Sequence, residues 1–385
     1  MERKITIYSM SSLSNNNPAT AGLTDHLSNL ALQSTHPAQS TDLAQQARWS
    51  NYAKIALDKH QAYYNTYTQE DLLSVKNAHP RDAIVHHVAT REQVMAITDP
   101  LAMIFWDNND LGKHFYLFKF GAHYTVMVSP STYQKLVRFF EPFDAPKMAA
   151  LCCNKPNKPQ YAGMTVQQIL DKWNADGTES AFFGSLMHEY LENYFNKTPQ
   201  DPPTPDFDIE IGQFHTLWPW VEENYPDWEV YRVEWIVYDE DSNAAGMIDI
   251  ALRHKVQQHL ILILDWKRSK EIKTMGYVDQ RKKAFLVQQG YPEDEAEKRA
   301  AKKALGFMSQ YDDCNLVKYG FSLNWYQKIL QTKYGLYVLG RHLISFHRNE
   351  ESFGMWPCHD MQREMDLIWQ RAPFTHSATL QDVFK

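Results

Sequence analysis

The sequence predicts a mixed α/β protein, a central mixed β-sheet flanked by helices, with a smaller α+β accessory module ahead of it. Three observations carry that expectation. The runs YRVEWIVYD (231–239), AAGMIDIALR (244–253) and HLILILDWKR (259–268) follow one another as strands. Segments with helical spacing lie on both sides of them. Finally, 44% of the 385 residues are hydrophobic, enough for one large core or two modest ones.

Taken in order, residues 1–48 read as a weakly structured lead-in, because 10–48 are rich in Ser, Asn, Thr, Gln and Ala with little periodic hydrophobicity. Residues 49–155 read as the accessory module. Trp49, Tyr52, Ile55 and Ala56 have helical spacing, and HFYLFKFGAHYTVMVS (114–129) reads as a hairpin turning near Gly121 and Ala122. STYQKLVRFFEPF (131–143) follows as a helix with a Ser/Thr cap, stopped near Pro142. The stretch NKPNKPQ (154–160) marks a boundary, and 156–385 form the main domain.

That domain opens with MTVQQILDKWNADG (164–177), read as an amphipathic helix ending at its glycine. A second helix, ESAFFGSLMHEYLENYFN (179–196), carries Phe183, Leu186, Met187, Tyr190, Leu191 and Tyr194 along one stripe. The Pro-rich DPPTPDFD separates it from a third helix near 209–224. After the three strands come a charged helical insertion (274–304), the helix FSLNWYQKILQTKYG (321–335) with a Gly stop, the strand YVLGRHLISFH (337–347) and a closing helix in DMQREMDLIWQRA (360–372).

Composition excludes several classes. A net charge of −7 means that any nucleic-acid surface must be a local patch on an acidic background. Cys152, Cys153, Cys314 and Cys358 form no CxxC pair, so a zinc site of the usual spacing is not expected, and scattered thiols suit a reducing compartment. The N-terminal MERKITIYSM lacks the apolar run of a secretory signal, and no run of eighteen apolar residues appears. The expectation is a soluble intracellular protein with no membrane partner; cytoplasm and nucleus are not distinguished.

The chemistry gathers where the most hydrophobic strand ends in charge. Leu260 to Leu264 run straight into Asp265, Trp266 and Lys267. Residues two apart in a strand share a face, so Asp265 and Lys267 point one way and Trp266 the other. A carboxylate at the end of a buried strand needs a cationic partner, either Lys267 itself or a metal ion. Asp249 interrupts the apolar run of the preceding strand sixteen residues earlier, the spacing a hairpin needs to set the two acids side by side. Two adjacent carboxylates repel unless a cation such as Mg²⁺ lies between them. Gly246 would let the backbone bend or a substrate approach closely.

Asp249, Asp265 and Lys267 together resemble the D-x(n)-D-x-K pattern of the PD-(D/E)xK nuclease superfamily. GSLMHEYLEN (184–193) is similar to the G-x(2–3)-H-x(3)-E helix of its RecB-like exonuclease branch, with His188 and Glu192 on one helical face. Glu234 in YRVEW stands where many members carry an acid. YGFSLNWYQKIL resembles the branch's Q-x(3)-Y helix; Tyr326 matches, but Ser322 occupies the glutamine position. The likeness covers roughly residues 163–350 and is greatest to members borne by viruses and mobile elements, which share RxEW, DWKRSKxIK and DCN followed by Y-x-x-x-L-N-x-Y, here Asp313, Cys314, Asn315, Tyr319, Leu323, Asn324 and Tyr326.

What the resemblance implies is a restriction-endonuclease-like core and Mg²⁺- or Mn²⁺-dependent hydrolysis of DNA phosphodiester bonds. One or two ions would be held by His188, Asp249, Asp265 and the Trp266 carbonyl, with Lys267 orienting water or stabilising the developing charge. Glu192, Glu234, Ser322 and Tyr326 are supporting positions. The implied role is an exonuclease acting on DNA ends or single strands in replication, recombination or repair. Two other readings stay open: a catalytically idle DNA-binding or assembly subunit, and an endonuclease subunit of a transposition system whose N-terminal module meets a protein partner or a DNA end. Residues 265–303 hold eleven Lys/Arg against seven Asp/Glu. Of these, Arg268 and Lys270, with Tyr326, are the expected nucleic-acid contacts, and Lys298 to Lys303 a solvated face. His86 and His87 are expected at the surface and Trp325 in the core.

Overall fold

The computed structural model of the protein describes residues 6–7, 72–83, 86–88, 115–120, 123–153, 155, 158–198 and 207–374. The readings for 10–48 and 49–71, and the side chains of His86 and His87, lie outside the described residues.

Among the described residues, nine strands form one mixed sheet. Strands β5 (Trp228–Asp239), β6 (Ala244–His254) and β7 (Leu260–Arg268) make an antiparallel meander. Next to β7 lies β8 (Tyr337–Phe346), in parallel along nine residue pairs, then antiparallel β9 (Gly354–Pro357) and the short parallel edge β1 (Thr6–Ile7). A parallel pair needs a long crossover, and residues 269–336 supply it. Strand β7 is central and buried on both faces, which is why it reads as an unbroken apolar run. The remaining strands, β2 (His86–Val88), β3 (Phe115–Phe120) and β4 (His123–Val128), form an antiparallel unit. It joins the start of β6 through a single parallel bridge, Val128 to Ala244.

Helices cover both faces. On one, the buried side chains of Phe321, Trp325 and Ile329 from the 315–329 helix and Met365 and Ile368 from the 362–369 helix pack on Ile248, Ile261, Ile263 and Leu343. On the other, Met187 and Leu191 and the helix Asp208–Asn224 pack on Leu262, Leu264, Trp266 and Ile344. Trp266 alone, 1% exposed, contributes about 2–3 kcal/mol of apolar burial.

Several local expectations change. Gly177 does not end a helix: one helix, hereafter α1, runs 31 residues from Val166 to Asn196. It opens on a reciprocal capping box between Thr165 and Gln168. The cost of one interior glycine, about 1 kcal/mol, is smaller than the gain from continuing hydrogen bonds on both sides. The 274–304 insertion is two short helices, Gln280–Gln288 and Glu293–Ala300, closed by a Val278–Ala301 bridge. The helix that contains Tyr326, hereafter α2, spans Asn315–Ile329, earlier than its sequence cue; it winds through Leu330–Tyr334 to Gly335, whose φ of 65° is the stop. The expected 114–129 hairpin is present as β3–β4. The helix after it begins at Pro130 on a Ser129 cap and ends at Arg138, before Pro142.

The boundary at 154–160 does not divide the core. Val128, Tyr133, Val137 and Phe139 belong to the same buried cluster as Trp235 and Trp325. Asp82 pairs with Arg232 at 2.6 Å and accepts from Trp235 Nε1, so this segment is pinned to β5 as well.

Candidate metal centre

The site forms where two strands part. Strands β6 and β7 pair only from Ile250–Leu264 to Arg253–Ile261. Below that fork β6 keeps β5 as its partner while β7 keeps β8. Asp249 and Asp265 sit at the split, and the backbone N–H of Trp266 donates to Asp249 Oδ2 at 2.7 Å across it.

Face alternation breaks at this level on both strands. Ile248 and Ile250 are two residues apart yet pack into opposite cores, and so do Trp235 and Val233. Between them, in register, lie Asp249 and Glu234. Glu234 has a φ of 42°, a left-handed conformation in the middle of a strand. Such a residue costs of order 1–3 kcal/mol and persists only where surrounding structure holds it. The switch turns both carboxylates toward α1, where His188 waits.

His188 Nδ1 lies 3.0 Å from Glu234 Oε1 and 3.8 Å from Asp249 Oδ1. One ligand atom from each of the three residues falls within 4.8 Å of the others. Helix, β5 and β6 each contribute one, so only the tertiary fold assembles the set. Burial pulls the His188 imidazolium down, but Asp249 and then Glu234 outweigh it and raise it to about 9. Burial pushes the Asp249 carboxyl up, against His188 and Lys267. The His188 proton is the counter-charge for Asp249 and Glu234; a metal ion would displace it, since only neutral imidazole ligates, and a nitrogen with hard oxygens is a donor set that Mg²⁺ and Mn²⁺ accept. The residues therefore fit such an ion.

Asp265 stands apart from that group. Its Oδ2 lies 2.5 Å from Lys267 Nζ, which also reaches the Trp266 carbonyl oxygen at 3.1 Å. The two side chains do share a face, as alternation required. Burial, then Asp249, raises the Asp265 carboxyl to about 6, with Lys267 opposing. The Lys267 ammonium is held charged: burial disfavours it, but Asp265 and Asp249 prevail. Asp265 Oδ2 nevertheless has no aligned hydrogen-bond donor.

Other predicted positions fall differently. Glu192, one turn beyond His188, is half-buried and outside the cluster; burial and Glu189 raise its carboxyl. Arg268 is turned away from the site, its Nε 2.9 Å from the buried Glu210 Oε1 and its guanidinium over Phe183. Alternation explains this: Arg268 shares a face with Trp266, not with Lys267, so it does not present its charge to a polyanion. Lys270 is exposed. Lys298, Arg299, Lys302 and Lys303 each pair with an acid, as a solvated face does. Trp325 is wholly buried. Ser322 is half-buried one turn before Tyr326.

Tyr326 does approach the carboxylates. Its ring crosses Gly246 so closely that a Cβ there would lie 2.2 Å from Cε1. The close neighbour that Gly246 admits is thus a side chain of the protein. Sequence reading missed Tyr116, buried on β3 against Ala245 and Met247, the latter on the Asp249 side of β6. Burial and then Asp249 and Glu234 hold its phenol un-ionised, and burial and then Tyr116 and the three acids do the same to Tyr326. No local signal marks Tyr116, because its strand is one aromatic-rich run among several.

Among the described residues, no helix is long and apolar enough to cross a membrane. In comparisons with known proteins, no family model matches the chain and no curated protein matches its sequence.

Proposed function

We propose that the protein is a metal-dependent nuclease that hydrolyses DNA phosphodiester bonds, acting on ends in replication, recombination or repair of a virus or mobile element. The observation that carries this reading is the convergence of His188, Glu234 and Asp249 from three separate elements beside the Asp265–Lys267 pair. Buried carboxylates are retained at a cost of several kcal/mol, and three acids gathered from separate strands support a functional use beyond the ion pairs with His188 and Lys267. The likeness to the RecB-like branch adds the same expectation from motif order.

When bound, Mg²⁺ or Mn²⁺ would lower the pKa of a water and neutralise charge on the phosphate oxygens. His188, Glu234 and Asp249 would hold it, with Asp265 and the Trp266 carbonyl on the neighbouring strand. Lys267 lies on the same face and would stabilise the charge that develops as the phosphate is attacked. Trp266, packed between Phe195, Phe214 and Phe346, fixes the strand that carries Asp265 and Lys267. Tyr116 and Tyr326, both buried, line the side of the site that lies under the sheet, while His188 and Lys267 reach the solvent.

The test is incubation of end-labelled linear and covalently closed DNA with Mg²⁺ or Mn²⁺. The wild type should cleave only with metal, Asp249→Asn should abolish cleavage, and Lys267→Ala should slow it about 10²–10³-fold. Loss of linear DNA alone marks an exonuclease, and nicking of circles an endonuclease. A wild type inert with either metal leaves the idle DNA-binding subunit as the better reading.

A further inference from the structure

The insertion that follows the strand of Asp265 and Lys267 holds aromatic rings out in water. Tyr277 is 76% exposed and Phe285, on the helix Gln280–Gln288, is 58% exposed. Tyr277 stands at an open groove of about 480 Å³, lined also by Asp279, Lys282, Ala300, Lys302 and Lys303. We propose that this groove binds an unpaired DNA strand, a base stacked on Tyr277 and phosphates on Lys282, Lys302 and Lys303, and so makes single-stranded ends the substrate. The inference deepens the DNA-cleaving reading above and rests on it.

Backbone fixes the floor of the groove. Val278 and Ala301 form an antiparallel bridge. The Lys302 N–H donates to the Tyr277 carbonyl at 2.9 Å, and the Asp279 N–H to the Ala300 carbonyl at 3.1 Å. The two segments press so close that a Cβ on Gly276 would lie 2.1 Å from the Lys302 carbonyl oxygen. Residues directly opposite across such a bridge share a face, which sets Tyr277 beside Lys302. Three ammonium groups line the groove against one carboxylate. That carboxylate, Asp279, is engaged in capping the helix through the N–H groups of Arg281 and Lys282. Acids of the neighbouring helix Glu293–Ala300 are held by other cations, Glu293 and Glu297 by Lys283 and Glu295 by Arg299. A solvated charged face accounts for the lysines, but not for a tyrosine and a phenylalanine exposed among them. Aromatic platforms interleaved with cations are how single strands are bound without sequence preference, and a duplex hides the base faces that such platforms need. The groove also adjoins the reaction site. Lys302 pairs with Asp313 at 3.0 Å and Asp313 with Lys318 at 2.6 Å. Next along the chain is Tyr319, whose ring lies 5.2 Å from Lys267 Nζ. A strand laid in the groove is thereby led toward Asp265 and Lys267.

Fluorescence anisotropy of a labelled oligodeoxythymidylate with the intact protein in EDTA reads binding while no strand is cut. The wild type should bind it more tightly than a duplex of the same length. Tyr277→Ala should weaken binding about tenfold, and Tyr277→Trp should retain it. Lys282→Ala should make the slope of log affinity against log salt shallower by about 0.7, and Lys298→Ala, outside the groove, should leave it unchanged. All three side chains are exposed, so the variants should fold, which thermal melts check. A preference for duplex, wild-type affinity in Tyr277→Ala, or equal slope changes in Lys282→Ala and Lys298→Ala would each overturn the inference. So would a dimer that Tyr277→Ala dissociates while oligonucleotide binding stays unchanged, since the groove would then be a contact between copies. None of these touches metal-dependent cleavage, which has its own test. Conversely, a wild type that binds the strand here and never cuts DNA removes the nuclease reading while the groove remains.

Discussion

Glu234 is the residue at which the sheet gives up backbone comfort for a side-chain direction. A glutamate at φ 42° is strained where glycine would not be. Glu234→Gly and Glu234→Ala both lose the pairing with His188, but only glycine relieves the backbone, so without metal Glu234→Gly should be about 1 kcal/mol more stable than Glu234→Ala. The same change should weaken Mn²⁺ binding by roughly 10–100-fold, the loss usual when a group supporting a metal site is removed. Thermal melts without metal, set beside Mn²⁺ titration, separate the two effects. A glycine variant no more stable than the alanine variant would show that the left-handed backbone is not a cost borne for the site.

At the scale of elements, α1 decides where His188 stands. An unbroken helix from Val166 fixes the height of His188 against the sheet, whereas a break at Gly177 would leave its N-terminal half free to move independently. Gly177 has open space around the position of a Cβ and an ordinary helical backbone. Gly177→Ala should then raise stability by about 0.5–1 kcal/mol, seen as a higher urea midpoint with unchanged slope. No gain, or a loss, would argue that the helix does end there as its sequence suggests. The fork between β6 and β7 is the other decisive element. It exists because β6 exchanges β7 for β4 near its start, so the N-terminal hairpin helps shape the site and brings Tyr116 to it.

For the whole molecule, the sheet carries one buried site that resists acid poorly. Burial, and then Arg341, depresses the His342 imidazole from 6.5 to about 4, and its Nδ1 has no hydrogen-bond partner. The unfolded chain therefore binds a proton that the folded protein refuses between those two values. Stability from this group is full above about pH 6.5 and is lost as pH falls toward 4, by about 3 kcal/mol in all. His347 is depressed by burial and then Arg268, to about 4, and acts in the same direction. The raised Asp265 carboxyl acts in the opposite sense below about 6, so the measurement is a difference. Urea midpoints at pH 7, 5.5 and 4.5 should fall more steeply for the wild type than for His342→Leu. Parallel slopes would show that the histidine is not the proton-refusing group.

The amino-acid sequence by itself determined most elements and the chemical character of the site. Apolar runs and their spacing gave the strands β5 to β8, because burial on one or both faces is written directly into local pattern. Asp265 and Lys267 were legible as partners for the same reason: alternation is a local property of an extended chain. Local pattern could not report a break in that alternation. The reversal at Glu234 and Asp249 depends on a strained backbone held by two packed cores, and it moved Glu234 from a supporting position into the candidate metal group. Arg268 has a charge that suits a phosphate, but the face it shares with Trp266 turns it onto the buried Glu210. Gly177 looked like a stop because a glycine's cost is local, while the helix that overrides it is stabilised by hydrogen bonds and packing farther along. Tyr116, and the single core that spans the 154–160 boundary, were decided by tertiary structure alone, since both depend on contacts between segments more than a hundred residues apart.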